Sequence, residues 1–327
     1  MRTGLSLLLV SAASLFGQGP TLVGSGYTDP QMTVSPGQVV TFYVSGLKTV
    51  LPSPRSVKAT GFPLPNTLAG ISATITQMNP SGTFPVPLFS VDQINTCADP
   101  SAAMPDCLLT AVTVQIPFEL FVPSFSGPPQ IGLTTTQVVL AENGINSKAF
   151  QLGTVDANIH VLTTCTTTRV ADTGSGLPCR PVVTHADGRF VSGPITSFDK
   201  GTGVAQPGEE LVMYAVGLGK TTTAVPSGEA SPASAPPADG VSIVFDYSPN
   251  ASPQNPGDSI LPSTVPAFAG LTSGFVGLYQ INFVVPQPPP GTLPCLAVDG
   301  RVTSNLTISI ARGGPSFDGA RICVDVP

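Results

Sequence analysis

The chain has 327 residues, and its composition alone argues against several classes of protein. It contains 36 Pro and 34 Gly, which interrupt helices, so a helical bundle or a helix-rich enzyme is disfavoured. Basic residues number 13 against 19 acidic ones, which excludes a nucleic-acid binder. Apolar residues make up 41% and fall in alternating runs, so general disorder is excluded too.

Residues 1–19 have the pattern of a secretory signal peptide. Arg2 precedes an apolar run from Leu5 to Phe16, and small and polar residues follow. The run is too short to span a bilayer as a helix, and no later stretch has the length and apolarity of a membrane span. We therefore expect cleavage between Ala13 and Gly19, export, and a soluble mature chain without a membrane span.

The six cysteines agree with export to an oxidising compartment. Six cysteines allow 15 pairings, and nearest neighbours in sequence are the preferred partners because each pair brackets a Pro/Gly-rich segment. No pair has the ligand spacing of a zinc site, and the two histidines lie far from every pair, so neither a metal nor a cofactor is predicted. The three predicted disulfides join Cys97 to Cys107, Cys165 to Cys179, and Cys295 to Cys323.

One sequence pattern occurs twice in the chain, with an offset of 171 residues. Residues 35–47 (SPGQVVTFYVSGL) match residues 206–218 (QPGEELVMYAVGL). In both copies a Pro-Gly turn begins a strand, apolar residues alternate along one face, and a Gly ends it. The alternating positions are Val40, Phe42 and Val44 in the first copy and Leu211, Met213 and Ala215 in the second.

Weaker matches extend the repeat along the chain. Residues 70–75 match residues 240–245, and the tripeptide Gln93-Ile94-Asn95 recurs as Gln280-Ile281-Asn282. Asn143-Gly144 and Asp299-Gly300 are both typical of hairpin turns, and each precedes a last alternating strand.

These patterns predict an all-β protein of two tandem immunoglobulin-like antiparallel β-sandwiches with a connecting hairpin. The first sandwich covers residues 20–160 and the second residues 201–327. The connector, residues 161–200, holds the Cys165/Cys179 loop and a hairpin that turns at Asp187-Gly188. Two further loops are predicted to be exposed: the loop bounded by Cys97 and Cys107, and residues 225–239, which are rich in Pro, Ala and Ser.

The most specific block is Gly277-Leu278-Tyr279-Gln280-Ile281-Asn282. Together with Pro207-Gly208 and residues 214–219, it closely resembles the uncharacterised C-terminal domain family of secreted acidobacterial (Solibacter-type) proteins. Residues 114–120 resemble the half that often precedes that domain. The resemblance implies a secreted, immunoglobulin-like β protein and carries over no catalytic residue.

Three local motifs suggest chemistry, and each is better explained otherwise. Asp172-Thr173-Gly174-Ser175 spells the aspartic-protease signature, but that chemistry needs two such carboxylates and the chain has one. Residues 217–221 lack the first Gly of a phosphate-binding loop. His160 and His185 could act as bases, but the sequence has no Gly-x-Ser-x-Gly nucleophile elbow for either to activate. The sequence therefore predicts that the protein is not an enzyme.

The leading hypothesis is a non-catalytic exported protein that acts as an extracellular adhesion, scaffold or envelope-associated binding module. Its partner would be a protein or polysaccharide surface ligand, contacted through the loops. The alternative is a polysaccharide-binding accessory module, although the chain has no Trp for an aromatic platform. A hydrolase with an unrecognised site, dependent on Asp172 or His185, is the third hypothesis.

Overall fold

The computed structural model describes residues 21–25, 32–78, 80–96, 98–99, 105–122, 136–164, 179–193, 203–234, 236–313 and 317–326. The predicted signal peptide lies outside these residues. We call the part with strands β1–β12 the first half and the part with strands β13–β20 the second half. No helix in the described ranges is long and apolar enough to cross a membrane.

Among the residues that the structure describes, the first half contains twelve strands in two sheets. They are β1 (Thr21–Ser25), β2 (Thr33–Val34), β3 (Val39–Ser45), β4 (Ser56–Lys58), β5 (Thr67–Leu68), β6 (Ile71–Met78), β7 (Ser81–Pro85), β8 (Leu88–Asn95), β9 (Leu108–Gln115), β10 (Thr136–Glu142), β11 (Ile145–Asn146) and β12 (Phe150–Thr154).

One sheet of the first half has the order β1-β3-β9-β8-β4 and the other β2-β12-β10-β6-β5, with β11 and β7 pairing to β10 and β6. Their ladders are antiparallel except β2–β12. The two sheets share one core, in which Phe42 of β3 and Val112 of β9 join Ile75 of β6 and Leu140 of β10. The first half is therefore two sheets packed face to face.

The described part of the second half repeats this arrangement with eight strands. They are β13 (His160–Val161), β14 (Val183–Thr184), β15 (Glu210–Val216), β16 (Val241–Asp246), β17 (Phe268–Leu271), β18 (Tyr279–Val284), β19 (Leu306–Arg312) and β20 (Phe317–Ile322). One sheet has the order β13-β15-β18-β17 with β14 also on β15, and the other has the order β16-β19-β20. Met213 and Phe283 from the first sheet pack in one core with Ile243 and Ile308 from the second.

The alternation predicted for β3 and β15 is present, because the six apolar positions are all fully buried. The strand pairing of the two halves then matches residue for residue. In the first half the pairs are Val39 with Gln115, Ile71 with Glu142, and Thr136 with Leu152. The corresponding pairs in the second half are Glu210 with Val284, Val241 with Arg312, and Leu306 with Ile322.

This register corrects the predicted match between the two Gln-Ile-Asn tripeptides. Gln93 lies on β8, which is separated from β3 by β9, whereas Gln280 lies on β18, directly beside β15. The counterpart of β18 is β9, and the counterpart of β8 is β17. A three-residue identity reports local strand preference, and it does not specify which strand lies alongside.

The second predicted hairpin turn is also placed differently. Asn143-Gly144 joins β10 to β11 as predicted, with Asn143 at φ 49° and Gly144 at φ 83°. Asp299-Gly300 instead ends a short helical turn, Ala297–Gly300, before β19. The position equivalent to Asn143 follows Arg312 and is Gly313, at φ 52°. The prediction failed because Asp-Gly favours several kinds of turn.

The connector supplies strands to the second half. The hairpin predicted at Asp187-Gly188 is present, with β14 pairing to β15 and the amide of Gly188 donating to the carbonyl of His185. β13 pairs to β15 as well. The predicted limits 20–160, 161–200 and 201–327 remain a prediction.

A disulfide joins Cys295 to Cys323, with their Cα atoms 6.0 Å apart. It ties the segment after β18 to the end of β20. Cys107 and Cys179 are disulfide-bonded too. Their predicted partners, Cys97 and Cys165, lie outside the described residues, so those two pairings stay predictions.

Candidate binding site

Each half contains a Pro-Gly turn just before its β3 or β15 strand, and a side chain closes this turn. In the first half the amide of Ser35 donates to Oε1 of Gln38 at 2.9 Å. In the second half the amide of Gln206 donates to Oε2 of Glu209 at 2.8 Å. The amide-type or carboxylate side chain satisfies an N–H that the strand does not use, which explains why Gln or Glu follows each Pro-Gly.

The junction between the halves is built on the first of these turns. The amide of Asn158 donates to the carbonyl of Gly217 at 2.8 Å, and its side-chain amide donates to the carbonyl of Thr33 at 3.0 Å and to Gln38 at 3.3 Å. The hydroxyl of Ser35 also donates to Gly217. These groups are buried, so their hydrogen bonds act in a low-dielectric setting and fix the orientation of the two halves.

Gly217 can take this position only because it has no side chain. Its φ is 81°, and a Cβ atom there would lie 1.9 Å from the carbonyl oxygen of Asn158. The glycine that ends β15 in the repeated motif is therefore required by a close backbone contact as well as by its left-handed conformation.

A segment of the second half, residues 225–231, reaches across to the first half, and we call it the clasp. The amide of Gly228 donates to the buried Oε1 of Gln115 at 2.6 Å, and the amide of Leu64 donates to the carbonyl of Gly228 at 2.8 Å. Ser227 accepts a hydrogen bond from the amide of Phe118 and donates to the carboxylate of Glu119.

The clasp is also attached to its own half. The amide of Ser231 donates to the carbonyl of Phe275 at 2.8 Å, and the amide of Gly274 donates to the carbonyl of Ser231 at 2.9 Å. Val225 and Ser231 are buried. The prediction of an extended surface loop for residues 225–239 is therefore wrong for the clasp, because its backbone groups pair with residues over a hundred positions earlier.

Phe118 completes the junction by crossing from one half to the other. It follows β9 of the first half, but its ring belongs to the core of the second half. A Cβ atom at Gly37, in the first Pro-Gly turn, would lie 2.1 Å from this ring. Apolar packing and buried hydrogen bonds thus act together at the junction.

Two grooves flank the clasp. The first has a volume of about 440 Å³ and is lined by the segment after β4 and by β8, including Lys58, Phe62 and Phe89. The second has a volume of about 400 Å³ and lies between the halves, lined by Phe118, Glu119 and residues 220–226. The first groove belongs to the first half alone, whereas the second lies at the kind of interface where ligand sites are frequent.

The first groove offers aromatic surface. Phe62 is 51% exposed although it is a large apolar side chain. Phe89 is partly buried, and Leu64 forms a buried floor. Lys58 adds a positive charge at the edge of the groove. Flat rings beside a cation can stack on a sugar ring or hold an apolar side chain of a partner.

The sequence patterns did not indicate which first-half residues contact the clasp. In the sequence, residues 114–120 stand out only through the family resemblance. In the structure, Gln115, Phe118 and Glu119 form the first-half side of the clasp contact. The signal available was an apolar Phe118 between Pro117 and Glu119, just after a strand. It could have indicated a contact surface, but not its partner.

A charged side chain anchors the loop that follows the long strand in each half. Glu142, the last residue of β10, accepts hydrogen bonds from the amides of Lys48 at 3.0 Å and Thr49 at 2.6 Å. Burial raises the pKa of Glu142, but these hydrogen bonds and the Lys48 charge outweigh it, so the pKa lies below its usual value. The carboxylate therefore stays charged at neutral pH.

Arg312 anchors the corresponding loop of the second half by donating to the carbonyl of Leu218. Burial lowers the pKa of Arg312, and Tyr279, Asp156 and Asp239 act in the opposite direction. The buried phenol of Tyr279, whose pKa burial raises, donates to the carbonyl of Gly219. Arginine remains charged under all these influences. The anchor is therefore a cation held by a backbone carbonyl and by the nearby acidic side chains.

Of the residues singled out for possible chemistry, the structure describes His160 and His185, and they have different partners. Asp172 lies outside the described residues, as does most of the loop bounded by Cys97 and Cys107. His185 lies in the connecting hairpin and contacts Glu209, and His160 lies on β13 near Asp318. Within the described ranges, no group of three His, Cys, Asp or Glu side chains could hold a metal ion.

No protein-family model and no curated protein matches the sequence. Two solved structures resemble the chain weakly. The crystal structure of Dpr2 Ig1-Ig2 in complex with DIP-Theta Ig1-Ig3 has 7% identity and a TM-score of 0.20, covering 94% of this chain and 100% of that one. The tandem Ig repeats of Dlar have 9% identity and a TM-score of 0.17, covering 95% and 100%. The fold description therefore rests on the strand pairing above.

Proposed function

We propose that the protein is a non-catalytic, exported binding module made of two tandem immunoglobulin-like β-sandwiches. It acts by surface contact as an adhesion, scaffold or envelope-associated protein, and it belongs to the secreted acidobacterial family that its sequence resembles. The observation that carries the proposal is the junction, in which Asn158, Gly217 and the clasp hold both grooves in a fixed relation. A rigid frame presents a binding surface at little entropic cost.

The matched register of the two halves supports the tandem arrangement. An ancestral sandwich that was duplicated would keep the pairing of β3 with β9 and of β15 with β18, and these are the ladders that agree. The low content of charged residues, 10%, suits a surface that binds by shape and apolar contact more than by long-range attraction.

The alternative is a polysaccharide-binding accessory module, and one observation favours it. Phe62 is half exposed and lines the first groove together with Phe89. Two aromatic side chains in an open groove can stack on pyranose rings. The same groove would then serve a sugar chain in place of a protein partner.

One experiment tests both functions. Labelled protein is added to isolated cell envelopes, either untreated, treated with protease, or treated with a mixture of glycosidases. Loss of binding after protease supports the adhesion or scaffold function, and loss after glycosidase supports the polysaccharide function. If the untreated envelopes bind no protein above background, the proposed surface-contact function is wrong.

Variants place the binding site on the protein. Phe62→Ala is expected to weaken binding at least about fivefold if the ring contributes a contact worth about 1 kcal/mol. Ile260→Ala is the matched control, because Ile260 is a large apolar side chain that is 99% exposed and is not part of either groove. Equal binding by both variants and the original protein would remove the first groove from the proposal.

The export proposal has its own test. N-terminal sequencing of the protein recovered outside the cytoplasm is expected to begin between residues 14 and 20, after removal of the signal peptide. Recovery of the intact chain from the cytosol would contradict it.

A further inference from the structure

The two halves close their Pro-Gly turns with side chains of different chemistry. In the first half Gln38, which accepts from Ser35, also accepts from the side-chain amide of Asn158. In the second half Glu209, which accepts from Gln206, also contacts Nδ1 of His185 at 2.6 Å. A neutral amide pair in one half is thus replaced by an ionisable pair in the other.

The second partner of each pair extends the parallel. Asn158 donates to the carbonyl of Thr33, in the segment that leads into the first turn. Nε2 of His185 lies 3.2 Å from the carbonyl of Gly203, in the segment that leads into the second turn. Asn158 and His185 therefore each connect a turn-closing side chain to the chain just before that turn.

The ring of His185 is placed between two acceptors. A carboxylate faces one nitrogen and a backbone carbonyl faces the other, and neither group can donate a hydrogen bond unless Glu209 is protonated. A neutral imidazole has one N–H and can satisfy only one of the two acceptors, whereas an imidazolium satisfies both. His185 is 8% exposed, so water cannot readily replace the missing bond.

Within the part of the chain that the structure describes, further charged groups near the ring lie on its own hairpin. Asp187 interacts electrostatically with His185, and it forms an ion pair with Arg189 at 2.6 Å. Residues 203–206, which pack on the other side, carry no charged side chain. On β15, Glu210 accepts a hydrogen bond from Asn282 instead. Among the described residues, Glu209 is therefore the main electrostatic partner of the ring.

We propose that His185 and Glu209 form a pH-sensitive latch between the connecting hairpin and the segment that precedes β15. When the ring is an imidazolium it bonds both Glu209 and Gly203, and the latch is closed. Histidine is the side chain whose unperturbed charge change falls between pH 5 and 8, and a ring that loses its proton gives up one of the two bonds. The neutral Gln38–Asn158 pair of the first half does not respond to pH in this range.

Hydrogen exchange measured by NMR on the full, oxidised protein tests the latch. The amide of Ser192, which donates to Gly203, and the amide of Gln206 report on it. After correction for the intrinsic pH dependence of exchange, their protection factors are expected to fall about five- to tenfold from pH 5.5 to 8.0. The protection factor of the Ser35 amide is expected to stay constant. Equal behaviour of all three amides would overturn the proposal.

A direct measurement accompanies it, because a His185 variant could fail to fold. The ring nitrogens of His185 are expected to give the ¹⁵N signature of an imidazolium at pH 5.5 and of a single neutral tautomer at pH 8.0. A neutral ring at pH 5.5 would overturn the latch. The variant Glu209→Gln removes the charge but keeps an acceptor, and it is expected to reduce the change in protection. His160→Asn, which removes the other histidine, is expected to leave the change intact.

Discussion

Glu142 and Arg312 occupy the same register position in the two halves and carry opposite charges. Glu142 pairs with Ile71 at the end of β10, and Arg312 pairs with Val241 at the end of β19. Glu142 accepts hydrogen bonds from the loop that follows β3, and Arg312 donates one to the loop that follows β15. The position therefore keeps its structural role, loop anchoring, while the direction of the hydrogen bonds is reversed.

Replacing Glu142 with Gln is expected to destabilise the protein by about 1–2 kcal/mol at pH 7, because one of the two partly buried hydrogen bonds from the amides of Lys48 and Thr49 loses its charged acceptor. The folded-state pKa of Glu142 is lowered, so its stabilising contribution is present above the unfolded-state pKa and is lost as pH falls through the folded-state value. The difference between the two proteins should therefore shrink toward about pH 3.

Urea unfolding at several pH values measures this difference. Glu210→Gln is the control, since Glu210 is an exposed carboxylate on β15, and it should change stability by less than about 0.5 kcal/mol. A Glu142→Gln effect that is constant down to pH 3 would show that the carboxylate charge is not what anchors the loop.

Replacing Arg312 with Gln is expected to destabilise the protein by about 1–3 kcal/mol, because the carbonyl of Leu218 loses a charged donor in a buried setting. Arginine does not titrate in the accessible range, so this loss should be the same at pH 4 and pH 8. The same urea experiments test it. A loss that varies strongly over this range would mean that Asp156 or Asp239, and not the guanidinium, dominates the site.

Gly217→Ala is expected to disrupt the junction. A methyl group there would overlap the carbonyl oxygen of Asn158, in addition to the cost of a left-handed residue. Gly208→Ala is a matched control, with φ 85° but open space around its Cβ position. Thermal unfolding should show that Gly217→Ala costs at least about 2 kcal/mol more than Gly208→Ala. Equal costs would show that the close contact at the junction is unimportant.

Removing the Cys295–Cys323 disulfide by the double change to Ala should destabilise the protein by about 3.5 kcal/mol, because the bridge closes a loop across a sequence separation of 28 residues. Denaturant unfolding of both proteins under oxidising conditions measures the loss. A loss below about 1 kcal/mol would contradict the role assigned to the bridge.

The sequence predicted the local features well and the long-range ones poorly. Alternation in β3 and β15 follows from the side-chain period of a strand, and the Asn143-Gly144 hairpin follows from turn chemistry. The equivalence of β18 with β9 could not be predicted, because strand pairing is set by contacts between residues far apart in sequence. The clasp was misread for the same reason: its Ser- and Pro-rich composition is typical of an exposed loop, but its partners Gln115 and Glu119 belong to the other half.

The central claim is that the junction holds both halves as one rigid body. Backbone amide residual dipolar couplings, measured for both halves in one aligning medium, test it most directly. We predict that the couplings from β1–β12 and those from β13–β20 fit a single alignment tensor. Two tensors of different magnitude or orientation would show that the halves move independently, and the account of a rigid binding module would then be wrong.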